Sequence, residues 1–123
     1  MGKITQISQP PHSPERKYRR FALRYPVEVK FAMGNSVSEL QTLSRNLSVG
    51  GLLLEATAPI PTHAPVSFTI TVNEREAVRP IQLVGEGKVV RVEQQASGPG
   101  FAIAVECNRP LAEMRDYLAA AGY

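Results

Sequence analysis

Two clusters in this chain have residue types that could do chemistry. The first is Glu15-Arg16-Lys17-Tyr18-Arg19-Arg20, followed by Arg24. Its cations are all arginine except Lys17. A guanidinium is planar and permanently charged. It forks two hydrogen bonds onto a phosphate or onto the O6/N7 edge of guanine, and it stacks on rings. Arg16 and Arg20 lie four residues apart, ~13 Å in extended chain at ~3.3 Å per residue. One loop could therefore place one guanidinium on a base and another on a phosphate of a compact dinucleotide. Taken alone, the cluster reads equally well as a charged arm in solvent.

The second cluster is Asn46-Leu47-Ser48-Val49-Gly50-Gly51, an N-x-S-x-x-G pattern between two strand-like segments. Asn offers donors and an acceptor, and Ser one hydroxyl. Gly51 can supply positive φ or a close backbone approach. A polar turn that uses Asn and Gly for geometry alone fits the same letters. Asn46-Leu47-Ser48 also matches a glycosylation acceptor formally, but no secretion signal accompanies it.

Charge is distributed unevenly. The 123 residues carry a net +3, yet residues 1–30 hold seven Lys/Arg and two Glu, a local +5 against −2 for the remainder. This asymmetry suggests an anionic partner docked at one place. Metal and nucleophile chemistry find little support. His12, His63 and Cys107 are far apart and lack ligand spacing. No G-x-S-x-G occurs, and Gly85-Glu86-Gly87-Lys88 lacks the spacing of a phosphate loop. The expectation is a non-enzyme with no metal or cofactor. One cysteine excludes an internal disulfide framework, and no apolar run approaches ~18 residues. These features suggest a cytoplasmic chain with no membrane insertion.

The elements that must position the two clusters read as strands. Val27, Val29 and Phe31 alternate with polar residues, as do Val66, Phe68, Ile70 and Val72, and later Phe101, Ile103 and Val105. Further strands are expected over about 37–46, from Gly51 through Leu54, and over 80–93, with Gly85 and Gly87 marking a bend or bulge. Gly34-Asn35-Ser36 and Ser97–Gly100 read as turns. Residues 1–14 read as a flexible tail and 15–24 as a loop. Leu111, Met114, Tyr117 and Leu118 recur at helical spacing after Pro110, predicting a helix over about 110–121. Six closely spaced strands and one late helix favour an all-β antiparallel barrel or sandwich.

In this order, the two clusters resemble the PilZ domain family. Its pattern is R-x-x-x-R in an N-terminal loop, then a strand, then [D/N]-x-S-x-x-G. Arg20 and Arg24 also satisfy R-x-x-x-R. However, family members follow the second Arg with an apolar residue and then "PV" opening the first strand, as in Arg20-Phe21 through Pro26-Val27. The family roles are therefore carried onto Arg16 and Arg20. The resemblance covers residues 15–121. It implies a six-stranded antiparallel β-barrel, a split barrel with a C-terminal α-helix, that acts as a bacterial receptor for cyclic di-GMP, taken singly or as an intercalated pair.

The implied ligand-binding residues are Arg16, Arg20, Asn46, Ser48 and Gly51. Lys17, Arg19, Arg45, Gly50 and Arg91 are secondary candidates, the charged ones equally readable as solvated surface. Like charges and flanking prolines should leave residues 10–24 poorly ordered until the ligand orders them against the barrel, a change that a downstream protein partner would read. Two other readings stay open. One is a PilZ-like protein interaction module without nucleotide binding. The other is a small barrel that binds single-stranded nucleic acid, which lacks the expected aromatic platforms.

Overall fold

The structure is a computed structural model and describes residues 19–72, 81–96 and 98–111. It contains six strands: β1 (Pro26–Met33), β2 (Ser36–Leu47), β3 (Gly51–Ala56), β4 (Pro65–Val72), β5 (Ile81–Gln94) and β6 (Phe101–Cys107). All pairings are antiparallel. The hydrogen-bonded order β1-β2-β3-β6-β5-β4 closes on itself through the β1–β4 pair, giving a closed barrel. The expected antiparallel six-stranded barrel is therefore present. Closure leaves no free sheet edge along the paired strands.

The alternation in the sequence sets which residues line the interior. Val27, Val29, Phe31, Val66, Phe68, Ile70, Val72, Ile103 and Val105 are all buried, together with Leu52, Leu54, Leu83 and Val89. Their partners at odd spacing face outward. Between β1 and β2 the chain reverses through Gly34 and Asn35, with Gly34 at φ +61°. A two-residue hairpin loop calls for this left-handed backbone, which glycine adopts without a Cβ penalty.

Gly85 and Gly87 do not mark a bulge. Both lie in regular pairing with β4, Gly85 opposite Phe68 and Gly87 opposite Val66. Their role is to leave room. A Cβ at Gly85 would stand 2.7 Å from Phe68 Cζ, and one at Gly87 would stand 2.4 Å from the Glu106 carbonyl oxygen. The irregularity in β5 falls later, between Val89 and Arg91. The helix expected over 110–121 lies outside the described residues, apart from Pro110 and Leu111. Leu111 packs partly buried against the core.

Gly87→Ala should destabilise the barrel by roughly 1–3 kcal/mol, because backbone cannot yield as a flexible side chain would. Urea unfolding followed by circular dichroism would measure this, with an unchanged midpoint as the contrary result.

Candidate functional site

The site is built around a distortion in β2. Regular alternation after buried Ser44 would turn Arg45 out, Asn46 in and Leu47 out. Instead, the β2–β3 register shifts between Ser44 and Asn46, pairing Ser44 with Leu54 and Asn46 with Leu53. Arg45 is the inserted residue. Arg45 is exposed and Asn46 half-buried, while Leu47 returns to the core at 1% exposure. The bulge therefore places Asn46 on the outer wall while its neighbour anchors inside. A second bulge, at Val90 in β5, does the same for Arg91, which pairs with Ala104. Reading across the sheet, Asn46, Leu53, Ala104 and Arg91 form one row. Small and apolar residues, Leu53, Ala102 and Ala104, lie half-buried on this wall between the polar flanks.

The turn following β2 explains the S-x-x-G spacing locally. Ser48 N–H donates to the Gly51 carbonyl (2.9 Å). The Ser48 hydroxyl accepts from the Gly51 amide (3.0 Å) and the Gly50 amide (3.3 Å), and it donates to the Gly51 carbonyl (3.2 Å). A hydroxyl three residues before an amide is well placed for this local bond. Ser48 is buried at 7% exposure. Gly51 lacks positive φ. It is required because a Cβ there would meet the Val105 carbonyl at 2.8 Å. Ser48 and Gly51 thus shape the turn, and Asn46 presents its amide outside.

The same turn is tied to the end of β6. Cys107 N–H donates to the Gly50 carbonyl (3.0 Å) and Leu111 N–H to the Val49 carbonyl (2.8 Å). Burial, reinforced by the Glu106 charge, pushes the Cys107 thiol up from 9.0 to about 11.

The basic segment enters from β1. Phe21 pairs with Leu47 through two backbone bonds, Phe21 N–H to Leu47 O (2.8 Å) and Leu47 N–H to Phe21 O (2.9 Å). The bridge is isolated, and Arg20 precedes it on an exposed stretch beside the turn that starts at Ser48. Phe21 packs partly buried against the core, whereas Arg20 is exposed. Arg20 therefore stands at the wall that carries Asn46. Arg19 lies over the Phe21 ring, 5.2 Å from its centroid, within cation–π range. Arg16 and Lys17 lie outside the described residues. Backbone and Ser44 bonds tie Phe21, Leu23 and Tyr25 to β2.

Arg24 has a separate task. Its Nη2 lies 2.9 Å from Glu55 Oε1 and its Nη1 lies 3.3 Å from Oε2, a two-point fork. Arg45 Nε lies 3.2 Å from the same carboxylate. The hydrogen bond from Arg24 holds the Glu55 carboxyl below its usual range, opposed by partial burial and helped by both arginine charges. A depressed carboxyl contributes stability above its ordinary range, and that contribution is lost as pH falls through the lowered value. Arg91 Nε lies 3.6 Å from Glu93 Oε2, both well exposed.

Sequence reasoning missed Glu55, Ser44 and the floor residues. Leu52-Leu53-Leu54 is a continuous apolar run, so no alternation in the sequence marks Leu53 and Glu55 as sharing an outer face. Elsewhere, a shallow groove on the β1–β4–β5 wall is lined by Glu28, Lys30, Ser67, Phe68, Thr69 and Val84. Its one Glu and one Lys offer no net attraction for an anion. Among the described residues, no group of three His, Cys, Asp or Glu could hold a metal, and no helix is long and apolar enough to cross a membrane.

The fold is a closed six-stranded antiparallel barrel that carries a polar turn after β2 and an arginine-bearing entry segment bridged to β2. A model of the PilZ domain family matches residues 14–121. The chain therefore belongs to the PilZ domain family, a family of cyclic di-GMP receptors. Among solved structures, it is similar to the Bacillus subtilis inhibitor of motility MotI/DgrA. That match has a TM-score of 0.66 at 20% identity and covers 89% of this chain and 52% of that one. The chain thus spans about half the length of that protein. It is also similar to the PilZ domain of CeSA from a cellulose-synthesising bacterium, with a TM-score of 0.55 at 18% identity, over 85% of this chain and 99% of that one. No curated protein matches the chain.

Cys107 should react slowly with maleimide or a disulfide reagent at neutral pH, with the rate rising only toward pH 11. Because its folded pKa is raised, its contribution to stability is complete below about 9 and lost as pH climbs toward about 11. Rapid labelling of folded protein at pH 7 would contradict this.

Proposed function

We propose that this chain is a bacterial, cytoplasmic receptor that binds cyclic di-GMP on the outer wall formed by β2, β3 and β6. The observation that carries the reading is the Phe21–Leu47 pair together with the Arg45 bulge. These two features bring Arg20 from the entry segment and Asn46 from the barrel to one wall, although 26 positions separate them in sequence.

In this reading Arg20, with Arg16 upstream, grips guanine edges and phosphates. The Asn46 amide hydrogen-bonds a guanine edge or phosphate. Ser48 and Gly51 act by holding the turn in shape, with their backbone close to the ligand. Leu53, Ala102 and Ala104 offer a low apolar floor on which a purine ring can lie. Arg91 sits at the far end of the row, where it adds positive field. Ordering of the residues before Phe21 against this wall then gives a partner protein a surface to read. Arg24 is not a ligand grip. Its fork onto Glu55 ties the entry segment to β3, which favours Arg16 and Arg20 as the paired arginines.

Titration calorimetry with cyclic di-GMP tests the reading. Arg20→Ala should weaken binding tenfold to a hundredfold, the loss of a charged hydrogen bond worth ~1.5–3 kcal/mol. Arg24→Ala should cost far less, since exposed ion pairs contribute little. Absence of heat at micromolar ligand, or equal affinity in Arg20→Ala, would sink the proposal.

A further inference from the structure

We propose that Ser44 is a positioning residue for this site, and that its buried hydroxyl pins the entry segment to β2 so that Arg20 is presented at the outer wall. The inference rests on the cyclic di-GMP reading for its ligand but not for its geometry. Ser44 occupies an inward position on β2 and has 0% exposure. An apolar side chain would fill such a position without desolvating a hydroxyl.

Both side-chain bonds of Ser44 go to backbone outside the strands. The Ser44 hydroxyl donates to the Leu23 carbonyl and accepts from the Tyr25 amide at 2.8 Å. The Ser44 amide in turn donates to the Tyr25 carbonyl at 2.9 Å. One residue therefore makes three bonds to residues 23–25. Thr42 repeats the device two residues earlier, its buried hydroxyl donating to the Val27 carbonyl at 2.8 Å.

The pin matters because of where it lies. Pairing of β1 with β2 is regular from Met33 to Pro26, which faces Leu43. Beyond that, β2 carries its bulge, and Phe21 faces Leu47, one position out of the earlier register. A regular ladder cannot cross this step. Ser44 bridges it with a side chain, so the entry segment can rejoin β2 at Phe21. Arg20 is the next residue. Without the hydroxyl, the segment loses its two bonds at the step and keeps the Phe21–Leu47 pair, the Ser44 amide bond to Tyr25 and the Arg24–Glu55 fork, so the fraction of molecules with Arg20 in place falls. Affinity falls by the same fraction.

The test compares the full chain with Ser44→Ala, and with Ser44→Cys should the alanine variant fold poorly. Without nucleotide, amide hydrogen exchange should speed up at residues 21–25 and at Leu47, while amides of β4 and β6 stay protected. Tryptic cleavage after Arg20 and Arg24 should rise in parallel. Unchanged exchange and cleavage at these sites would overturn the pin. With cyclic di-GMP, Ser44→Ala should bind about tenfold more weakly than wild type, as for a tenfold drop in the competent fraction. Combined with Arg20→Ala, it should add little further loss. Fully additive losses would show that Ser44 does not act through Arg20. If wild type fails to bind cyclic di-GMP, the functional reading falls, and the exchange comparison still decides the pin.

Discussion

A closed antiparallel barrel imposes a strict rule: along each strand, alternate residues face in and out. The inner positions are committed to the core, so a strand cannot choose freely which polar group it shows outside. This protein escapes the rule at two points only among the described strands, the Arg45 bulge in β2 and the Val90 bulge in β5. Each inserts one residue and shifts the alternation for those that follow. The two fall on the same row of the sheet, with Asn46 at one end and Arg91 at the other. The shift turns Asn46 and Arg91 outward at the two ends of a wall whose middle, on β3 and β6, follows regular alternation. Leu47 and Val89 keep their places in the core on either side of it.

Electrostatics divides the arginines by task. Glu55 faces out from β3 and takes Arg24 in a fork and Arg45 by its Nε. The one carboxylate offsets one of the two positive charges, and the exposed position of these pairs makes them worth more for orientation than for stability. Arg24 is thereby committed to the barrel. Arg20, four residues earlier, sits beyond the Phe21 anchor at the wall carrying Asn46. Arg24 thus has a carboxylate partner on β3, while Arg20 is exposed four residues earlier.

The polar turn is similarly economical. Ser48 satisfies the amides of Gly50 and Gly51 internally, while the Val49 and Gly50 carbonyls bind the amides of Leu111 and Cys107. The turn is therefore continuous with the chain leaving β6. A change in the turn's backbone would act directly on those two bonds, which gives the site a short physical route to residues 107–111.

The sequence by itself determined an antiparallel all-β fold and the lining contributed by β1, β4 and β6. Period-two alternation in β1, β4 and β6 is a local property, and burial follows from it wherever a strand is regular. It also marked the two clusters, since arginine spacing and S-x-x-G are short-range patterns, and the bonds of Ser48 close within three residues. What only the tertiary structure decided is how those clusters meet. Whether Asn46 faces in or out depends on an inserted residue that no local pattern reveals, because Arg45 looks the same in or out of a bulge. Gly85 and Gly87 looked like bulge residues, and their reason is instead the Phe68 ring and the Glu106 carbonyl on the adjacent strands β4 and β6. Ser44 falls within the strand expected over about 37–46, and nothing local marks its partners, Leu23 and Tyr25, some twenty positions earlier. Contacts between distant segments set these outcomes, and such contacts form only once the strands have closed.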